Sequence, residues 1–204
     1  MESVIANPSP ISKKKIPAYL IKEEFDGIPL YYKGYKDVLS GKKTLEDIMP
    51  SSSIHGVIIA YLTGFLWSKI NHQLFVIVAG EVGLLSDNNK RAGLDLAIFD
   101  KNVLTTEEVN RHYAKVPPKI VIEVDVDLES DFMLPDEIIQ FRTQKLLDAG
   151  VEKIIWVFTL SRKIMVAKQD QDWRIFDWNR EVEIIDGITF NIATYLDSAG
   201  YRKF

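Results

Sequence analysis

Two short segments of the chain combine the composition of a β-strand with a carboxylate in an apolar setting. One reads Leu-Asp-Leu-Ala-Ile-Phe over residues 94–99, and the other reads Lys-Ile-Val-Ile-Glu-Val-Asp-Val over residues 119–126. β-Branched and aromatic residues favour strands, and successive side chains point to opposite faces. Burying a charge costs free energy unless something pairs with it. These segments therefore predict two central strands with a polar site between them.

Alternation along each strand places the two carboxylates on matching faces. In the first strand, one face carries Asp95, Ala97 and Phe99, and the other carries Leu94, Leu96 and Ile98. In the second, one face carries Val121, Glu123 and Asp125, and the other carries Ile120, Ile122, Val124 and Val126. If the strands are neighbours, Asp95 and Glu123 converge, and their mutual repulsion is relieved by a divalent cation or by ordinary buried ion pairs. Carboxylate oxygens suit Mg²⁺ or Mn²⁺, which can activate water for phosphodiester hydrolysis.

The remaining pattern predicts an α/β protein with a mixed central sheet flanked by helices and an antiparallel C-terminal strand region. Predicted helices span residues 54–70, 135–149 and 193–196, and further strands span 28–32, 74–78, 154–158, 163–168, 173–178 and 181–192. Glu81, just after one of these strands, is a candidate third metal ligand. The helix over 135–149 is long enough to cross over between the strands of Glu123 and Trp156, which makes those strands parallel.

Composition and length narrow the classes of protein that this chain can be. Its 204 residues predict one domain over residues 16–204, preceded by a mobile arm over 1–15. A net charge of −4 gives no broad basic surface, so a nucleic-acid role requires a local pocket, a basic patch or a partner. The absence of cysteine excludes disulfides and thiolate chemistry. Neither a signal peptide nor a membrane-length apolar run is visible, which predicts a soluble cytoplasmic protein without membrane association.

Several motifs in this order resemble the PD-(D/E)XK nuclease superfamily, and within it a bacterial family of restriction-endonuclease-like proteins. The residues that carry the likeness are His55, Gly93-Leu94-Asp95, Pro117-Pro118, Ile122-Glu123-Val124, Lys145 to Val151 and Trp156-Val157-Phe158. The resemblance covers roughly residues 25–195. It implies a restriction-endonuclease-like fold, an endonuclease that hydrolyses DNA with Mg²⁺ or Mn²⁺, and a possible homodimer. The ligands it implies are Asp95, Glu123 and the backbone carbonyl of Val124.

The chain departs from the family pattern at two positions. Leu94 replaces the proline before the first aspartate, and Asp125 replaces the lysine that follows the glutamate. In the family this lysine is often supplied by the next helix, where the equivalent position is Arg142. Arginine stabilises negative charge but transfers protons poorly, so Arg142 is assigned an electrostatic role, with Lys145 in reserve. The alternative is a catalytically inactive module of the same fold that binds nucleic acid or protein.

Two acidic or basic features have simpler interpretations. Asp125, Asp127, Glu129 and Asp131 alternate along the chain, and Asp127, Glu129 and Asp131 fit a solvated acidic edge better than a ligand set. His55 lies beside the apolar face of its helix, where a histidine is more often packed or hydrogen-bonded than a metal ligand. The predicted site therefore rests on Asp95 and Glu123.

Overall fold

The fold is described by a computed structural model that covers residues 16–86 and 90–201, so the predicted arm over 1–15 lies outside the described residues. The strands are β1 (Ile21–Phe25), β2 (Ile28–Tyr32), β3 (Phe75–Ser86), β4 (Lys90–Asp100), β5 (Ile120–Val124), β6 (Leu128–Glu129), β7 (Lys153–Phe158), β8 (Lys163–Lys168), β9 (Arg174–Asp177), β10 (Val182–Ile185) and β11 (Ile188–Phe190). The helices are α1 (Tyr35–Leu39), α2 (Ser53–Lys69), α3 (Pro135–Asp148) and α4 (Ile192–Ser198). None of these helices is both long and apolar enough to cross a bilayer.

Within the described residues, nine strands form one mixed sheet in the order β6-β2-β1-β4-β5-β7-β8-β9, and β3 pairs with the other edge of β4. β5 and β7 are parallel neighbours, with Glu123 opposite Trp156, and α3 connects them. The predicted crossover is therefore confirmed. β10 and β11 form a separate hairpin within the span predicted over 181–192, and its turn residues, Asp186 and Gly187, both have positive φ.

The sheet is covered on both faces, which gives the mixed α/β architecture that the sequence predicted. On one face α2, α4 and the β10–β11 hairpin pack on apolar side chains of β4, β5 and β7. On the other face α3 packs on a second apolar cluster that includes Ala97, Phe99 and Val121. Period-two alternation thus correctly separated the two faces of β5 and of the second half of β4.

Local signals in the sequence explain where the two long helices begin and end. Ser52 caps α2 by accepting a hydrogen bond from the backbone N–H of His55 at 3.3 Å, which places His55 in the first turn. α3 begins at Pro135, where a missing N–H costs nothing. It ends before Gly150, whose φ of +101° is a conformation that favours glycine. Both helices confirm the sequence prediction closely.

Three local predictions are wrong. The strands predicted over 74–78 and 94–99 are both longer, since β3 continues to Ser86 and β4 begins at Lys90. Leu94 packs in the same cluster as Ala97 and Phe99 instead of sharing a face with Leu96. β5 ends at Val124 and Asp125 has a φ of +59°, so Asp125 does not continue the face of Glu123. The change of face at Leu94 lies beside an irregularity in β3 that sequence alternation does not reveal.

Candidate functional site

The site lies where two neighbouring strands separate along one edge of β4. Glu24 of β1 pairs with Arg91, and β5 pairs with residues 96–98 along the same edge. Between these two ladders, the backbone N–H and C=O groups on this edge of β4 must find partners other than a neighbouring strand, because buried backbone groups require hydrogen bonds. Gly93 N donates to Glu23 Oε1 at 3.0 Å, and Gly93 O accepts from Arg142 Nη2 at 2.7 Å. Charged side chains therefore complete the sheet at this fork.

Asp95 lies opposite a β-bulge in β3. The register shifts between Ala79 and Val82, and the two intervening residues, Gly80 and Glu81, both have positive φ. Bulges of this kind redirect side chains and often lie beside functional sites. On the other edge of β4, Asp95 precedes Leu96, which pairs with Ile122 of β5, and Glu123 follows Ile122, so the antiparallel register brings Asp95 and Glu123 side by side as predicted.

Three charged side chains form a buried network beneath this fork. Arg142, 2% exposed, donates from Nε and Nη2 to both carboxylate oxygens of Glu23, at 2.7 and 2.9 Å. Its Nη1 lies 3.2 Å from Glu123 Oε2 without an aligned hydrogen bond. Trp156 stacks beneath the guanidinium, with 5.1 Å between its ring centroid and Arg142 Cζ. One arginine thus joins two glutamates, and the pair with Glu23 has the better geometry.

Burial dominates the ionisation of Glu123. Glu123 is 4% exposed, and its Oε1 is buried without a hydrogen-bond partner. Burial raises its pKa to about 8, against the opposing effect of Arg142, and the charges of Asp95 and Glu23 raise it further. The carboxyl therefore holds a proton at neutral pH unless another cation enters the pocket. The pKa of Arg142 is raised, because the two glutamates outweigh its desolvation.

Asp95 is held by two donors on the opposite side of the pocket. His55 Nε2 donates to Asp95 Oδ2 at 3.0 Å, and the backbone N–H of Val124 donates to the same oxygen at 2.9 Å. Burial raises the pKa of Asp95, but these hydrogen bonds outweigh it, and the pKa lies below its ordinary value. The same hydrogen bond raises the pKa of His55. Asp95 is therefore held as an ionised carboxylate of fixed orientation, next to a glutamate whose pKa is raised by burial.

The pocket between these groups is narrow. It leaves about 30 Å³ of space, which holds one or two occupants the size of water. Its polar lining includes Asp95, Glu123 and Arg142, together with Lys22, Glu23, His55, Glu81 and Asp127. A space of this size accommodates an ion or a water molecule, but a nucleotide has to lie outside it.

The structure brings most of the predicted site residues to this pocket. Asp95, Glu123, Val124, Arg142 and Glu81 all line it. Glu81 lies at its mouth, 63% exposed, and Lys22 Nζ approaches it at 3.7 Å.

Lys145, the reserve candidate, does not line the pocket. Its Nζ pairs with Asp26 at 2.7 Å, one turn along α3 from Arg142. Asp125 also turns to a partner of its own, accepting hydrogen bonds from the N–H and hydroxyl of Thr159 at 2.7 and 2.6 Å. Of the two basic residues proposed from α3, only Arg142 faces the pocket.

Glu23 and His55 are the residues that sequence reasoning missed as parts of the site. Glu23 belongs to a five-residue strand with three charged side chains, which does not have the composition of a buried strand. A weak signal was available, since Glu23 alternates with Ile21 and Phe25. His55 was correctly interpreted as a hydrogen-bonded residue, but its partner was not predicted.

Comparisons with known proteins support the fold. No protein-family model matches the chain, and no curated protein sequence matches it significantly. A solved structure, the crystal structure of a protein described as a putative nuclease belonging to DUF820 from Anabaena variabilis, is similar with a TM-score of 0.62. The two chains are 14% identical, and the match covers 86% of this chain and 89% of the other. The protein therefore has a nuclease-like fold, a mixed α/β sheet flanked by helices.

Proposed function

We propose that this protein is a metal-dependent endonuclease of the PD-(D/E)XK superfamily that hydrolyses phosphodiester bonds in DNA. The observation that carries the proposal is the meeting of Asp95 and Glu123 in one narrow pocket, at the point where β1 and β5 separate along β4. The similar fold of a protein described as a putative nuclease adds support. Clustered ionisable groups with shifted pKa values in a cleft are typical of catalytic sites.

The donors in the pocket fit Mg²⁺ or Mn²⁺. Mg²⁺ usually keeps several water ligands and uses only one or two protein carboxylates, which Asp95 and Glu123 supply. Both hydrogen bonds to Asp95 fall on Oδ2, and among the described residues Oδ1 remains available. Glu123 Oε1 is buried without a partner. The carbonyl of Val124 and the carboxylate of Glu81 are further candidate ligands. A divalent cation bound here would polarise a phosphate oxygen and lower the pKa of water.

The protein's own side chains have separate tasks in this scheme. His55 and the Val124 N–H orient Asp95 and keep it ionised. Arg142 orients Glu123 and contributes a permanent positive charge beneath the pocket, whose field would favour the negative charge that develops on the phosphate during hydrolysis. Glu23 fixes the guanidinium plane through two hydrogen bonds. Arg142 therefore has an electrostatic role, and an activated water is the nucleophile.

The test compares nicking of supercoiled DNA with Mn²⁺ by the wild type, Asp95→Asn and Glu123→Gln. Each variant should lose more than about 100-fold in rate, because even partners behind a metal ligand are worth 10–100-fold. Glu152→Gln is the matched control, since Glu152 is an exposed carboxylate that pairs with Lys119 at the opposite end of β5. Cleavage by Glu123→Gln at the wild-type rate would contradict the proposal.

A second candidate function is a catalytically inactive module of the same fold. Both candidate carboxylates already have cationic partners, and Asp125 occupies the position of the family's lysine. Within residues 16–86 and 90–201, no three His, Cys, Asp or Glu side chains are already arranged as a ligand set. Calorimetry with Mn²⁺ separates the two functions. Binding that disappears in Glu123→Gln favours the enzyme, and no binding by the wild type favours the inactive module.

A further inference from the structure

A second groove adjoins the acidic pocket. It encloses about 280 Å³, close to the roughly 300 Å³ of the smallest ligand sites. We call it the tyrosine groove and define it by Lys22, Tyr32, Gly83, Arg91 and Tyr113. The residues that line both the groove and the pocket are Lys22, Glu23, Glu81 and Gly93. The two spaces therefore share part of their walls and lie side by side.

Tyr113 is exposed, yet its position is fixed. Its side chain is 56% exposed. The next residue, Ala114, pairs with β3 through two backbone hydrogen bonds, from Ala114 N to Gly83 O at 2.9 Å and from Leu85 N to Ala114 O at 2.8 Å. The ring lies directly on Gly83, where an added Cβ would approach Tyr113 Cδ1 to 2.2 Å. An exposed aromatic ring that is held against a strand offers a stacking surface for a planar ligand.

The same groove carries two cations that can contact a phosphate. Arg91 lies 3.6 Å from Glu24 and Lys22 lies 3.7 Å from Glu81, separations longer than those of charge-assisted hydrogen bonds. Such a loose surface pair contributes little, so the half-exposed Arg91 can turn to another anion. Lys22 is more buried, and its Nζ lies 5.6 Å from the centroid of the Tyr32 ring, which places the cation inside the groove. Lys22 also stands between the groove and the acidic pocket, which is where the phosphate next to the reacting one would lie.

We propose that the tyrosine groove holds one unpaired nucleotide beside the scissile phosphate, with its base on Tyr113 and its phosphate at Arg91 and Lys22. A base can lie on an aromatic ring only when it has left the base stack, so the preferred substrate is a single strand or a single-stranded segment. Stacking also suits a protein with a net charge of −4, because it adds affinity without a broad basic surface. The cleavage part of this inference rests on the proposed function, and the binding part does not.

The first experiment measures the affinity of the intact protein for a short dye-labelled DNA strand by fluorescence anisotropy, with EDTA present to prevent cleavage. Tyr113→Ala should weaken binding about 5- to 150-fold, the effect of losing one base–aromatic contact. Tyr113→Phe keeps the ring and should bind within about twofold of the wild type. Trp67→Ala is the matched control, because Trp67 is 61% exposed and about 18 Å along α2 from His55.

Two more variants test the geometry and the charge separately. Gly83→Ala keeps Tyr113 in the sequence, but the added methyl group displaces its ring from β3. This variant should therefore lose as much affinity for the strand as Tyr113→Ala. Arg91→Gln should lower the slope of log affinity against log salt by about 0.7, the value for one phosphate contact to a single strand. Circular dichroism of each variant checks that the sheet is intact.

The inference is overturned by any of three results: wild-type affinity in both Tyr113→Ala and Gly83→Ala, equal affinity of the wild type for single strand and duplex, or no binding at all. A parallel RNA strand identifies the source of the nucleotide: equal binding of RNA and DNA would support the groove through the contacts that both share, and much tighter binding of RNA would support the groove but contradict DNA as the substrate. Tyr113-dependent binding without cleavage under any metal supports the groove and refutes the nuclease. Cleavage that depends on Glu123 but not on Tyr113 supports the nuclease and refutes the groove.

Discussion

Glu123→Gln should stabilise the protein at neutral pH in the absence of metal. Burial raises the pKa of this carboxyl from 4.5 to about 8, so at neutral pH the folded protein holds a proton that the unfolded chain releases. Between these two pKa values the folded state binds more protons, and its stability falls as pH rises. From pH 4.5 to pH 7 the loss is about 3 kcal/mol, at about 1.4 kcal/mol for each pH unit.

The assay is urea unfolding of wild type and Glu123→Gln in EDTA, near pH 4.5 and near pH 7. The free energy of unfolding of the variant relative to the wild type should increase by about 3 kcal/mol between the two conditions. Differences in packing between glutamine and glutamate cancel, because they are present at both values of pH. Glu152→Gln, at an exposed carboxylate, provides the baseline for an amide substitution.

Glu23→Gln should instead lower the free energy of unfolding. Glu23 makes two hydrogen bonds to Arg142, and losing its charge leaves a buried guanidinium underpaired. Removing one partner of such a buried ion pair costs about 3–5 kcal/mol. The loss is smaller if Glu123 ionises in the variant and pairs with Arg142 instead. A difference between Glu123→Gln and wild type that does not change with pH would refute the reasoning. So would a larger loss of stability in Glu123→Gln than in Glu23→Gln, since Glu123 would then be the ionised partner of Arg142.

Three further predictions concern the surroundings of the pocket. The raised pKa of His55 adds stability that is complete below pH 6.5 and is lost as pH rises through the pKa of the folded state. The lowered pKa of Asp95 adds stability that is present above pH 3.8 and is lost in acid. The melting temperature of the wild type should therefore fall relative to His55→Gln as pH rises from about 6 to about 9 in EDTA. Thr143→Val leaves the indole N–H of Trp156, now bonded at 2.9 Å, without its acceptor, and should cost about 1–3 kcal/mol in urea unfolding. Lys145→Ala removes a partly exposed ion pair and should change stability by less than about 1 kcal/mol.

The sequence predicted those parts of the site that depend on local periodicity. Strand composition located β4 and β5, and alternation correctly placed Ala97 and Val121 on one side of the sheet. Helix signals located α3 and directed Arg142 toward the sheet. These inferences succeeded because each depends on neighbours a few residues away.

The rest of the site depends on pairings between distant segments. Glu23 was missed because β1 is short and highly charged, and only its position beside β4 buries it. The bulge at Glu81 and the change of face at Leu94 arise from the register between β3 and β4, which has no local signal. Lys145 was a candidate because the family resemblance indicates only which positions of the helix can carry the basic residue. Its ion pair with Asp26 is visible only in the folded structure.

The bond between Arg142 and Glu23 also has a consequence for the order of folding. It joins positions separated by 119 residues, and closing a loop of that length costs about 4 kcal/mol of chain entropy. The crossover from β5 through α3 to β7 is local and can form first, whereas β1 must return from the start of the described chain to meet it. Contacts that form after the transition state slow unfolding without speeding folding. We therefore expect the pocket to be assembled late, so that its buried charges slow unfolding more than they speed folding.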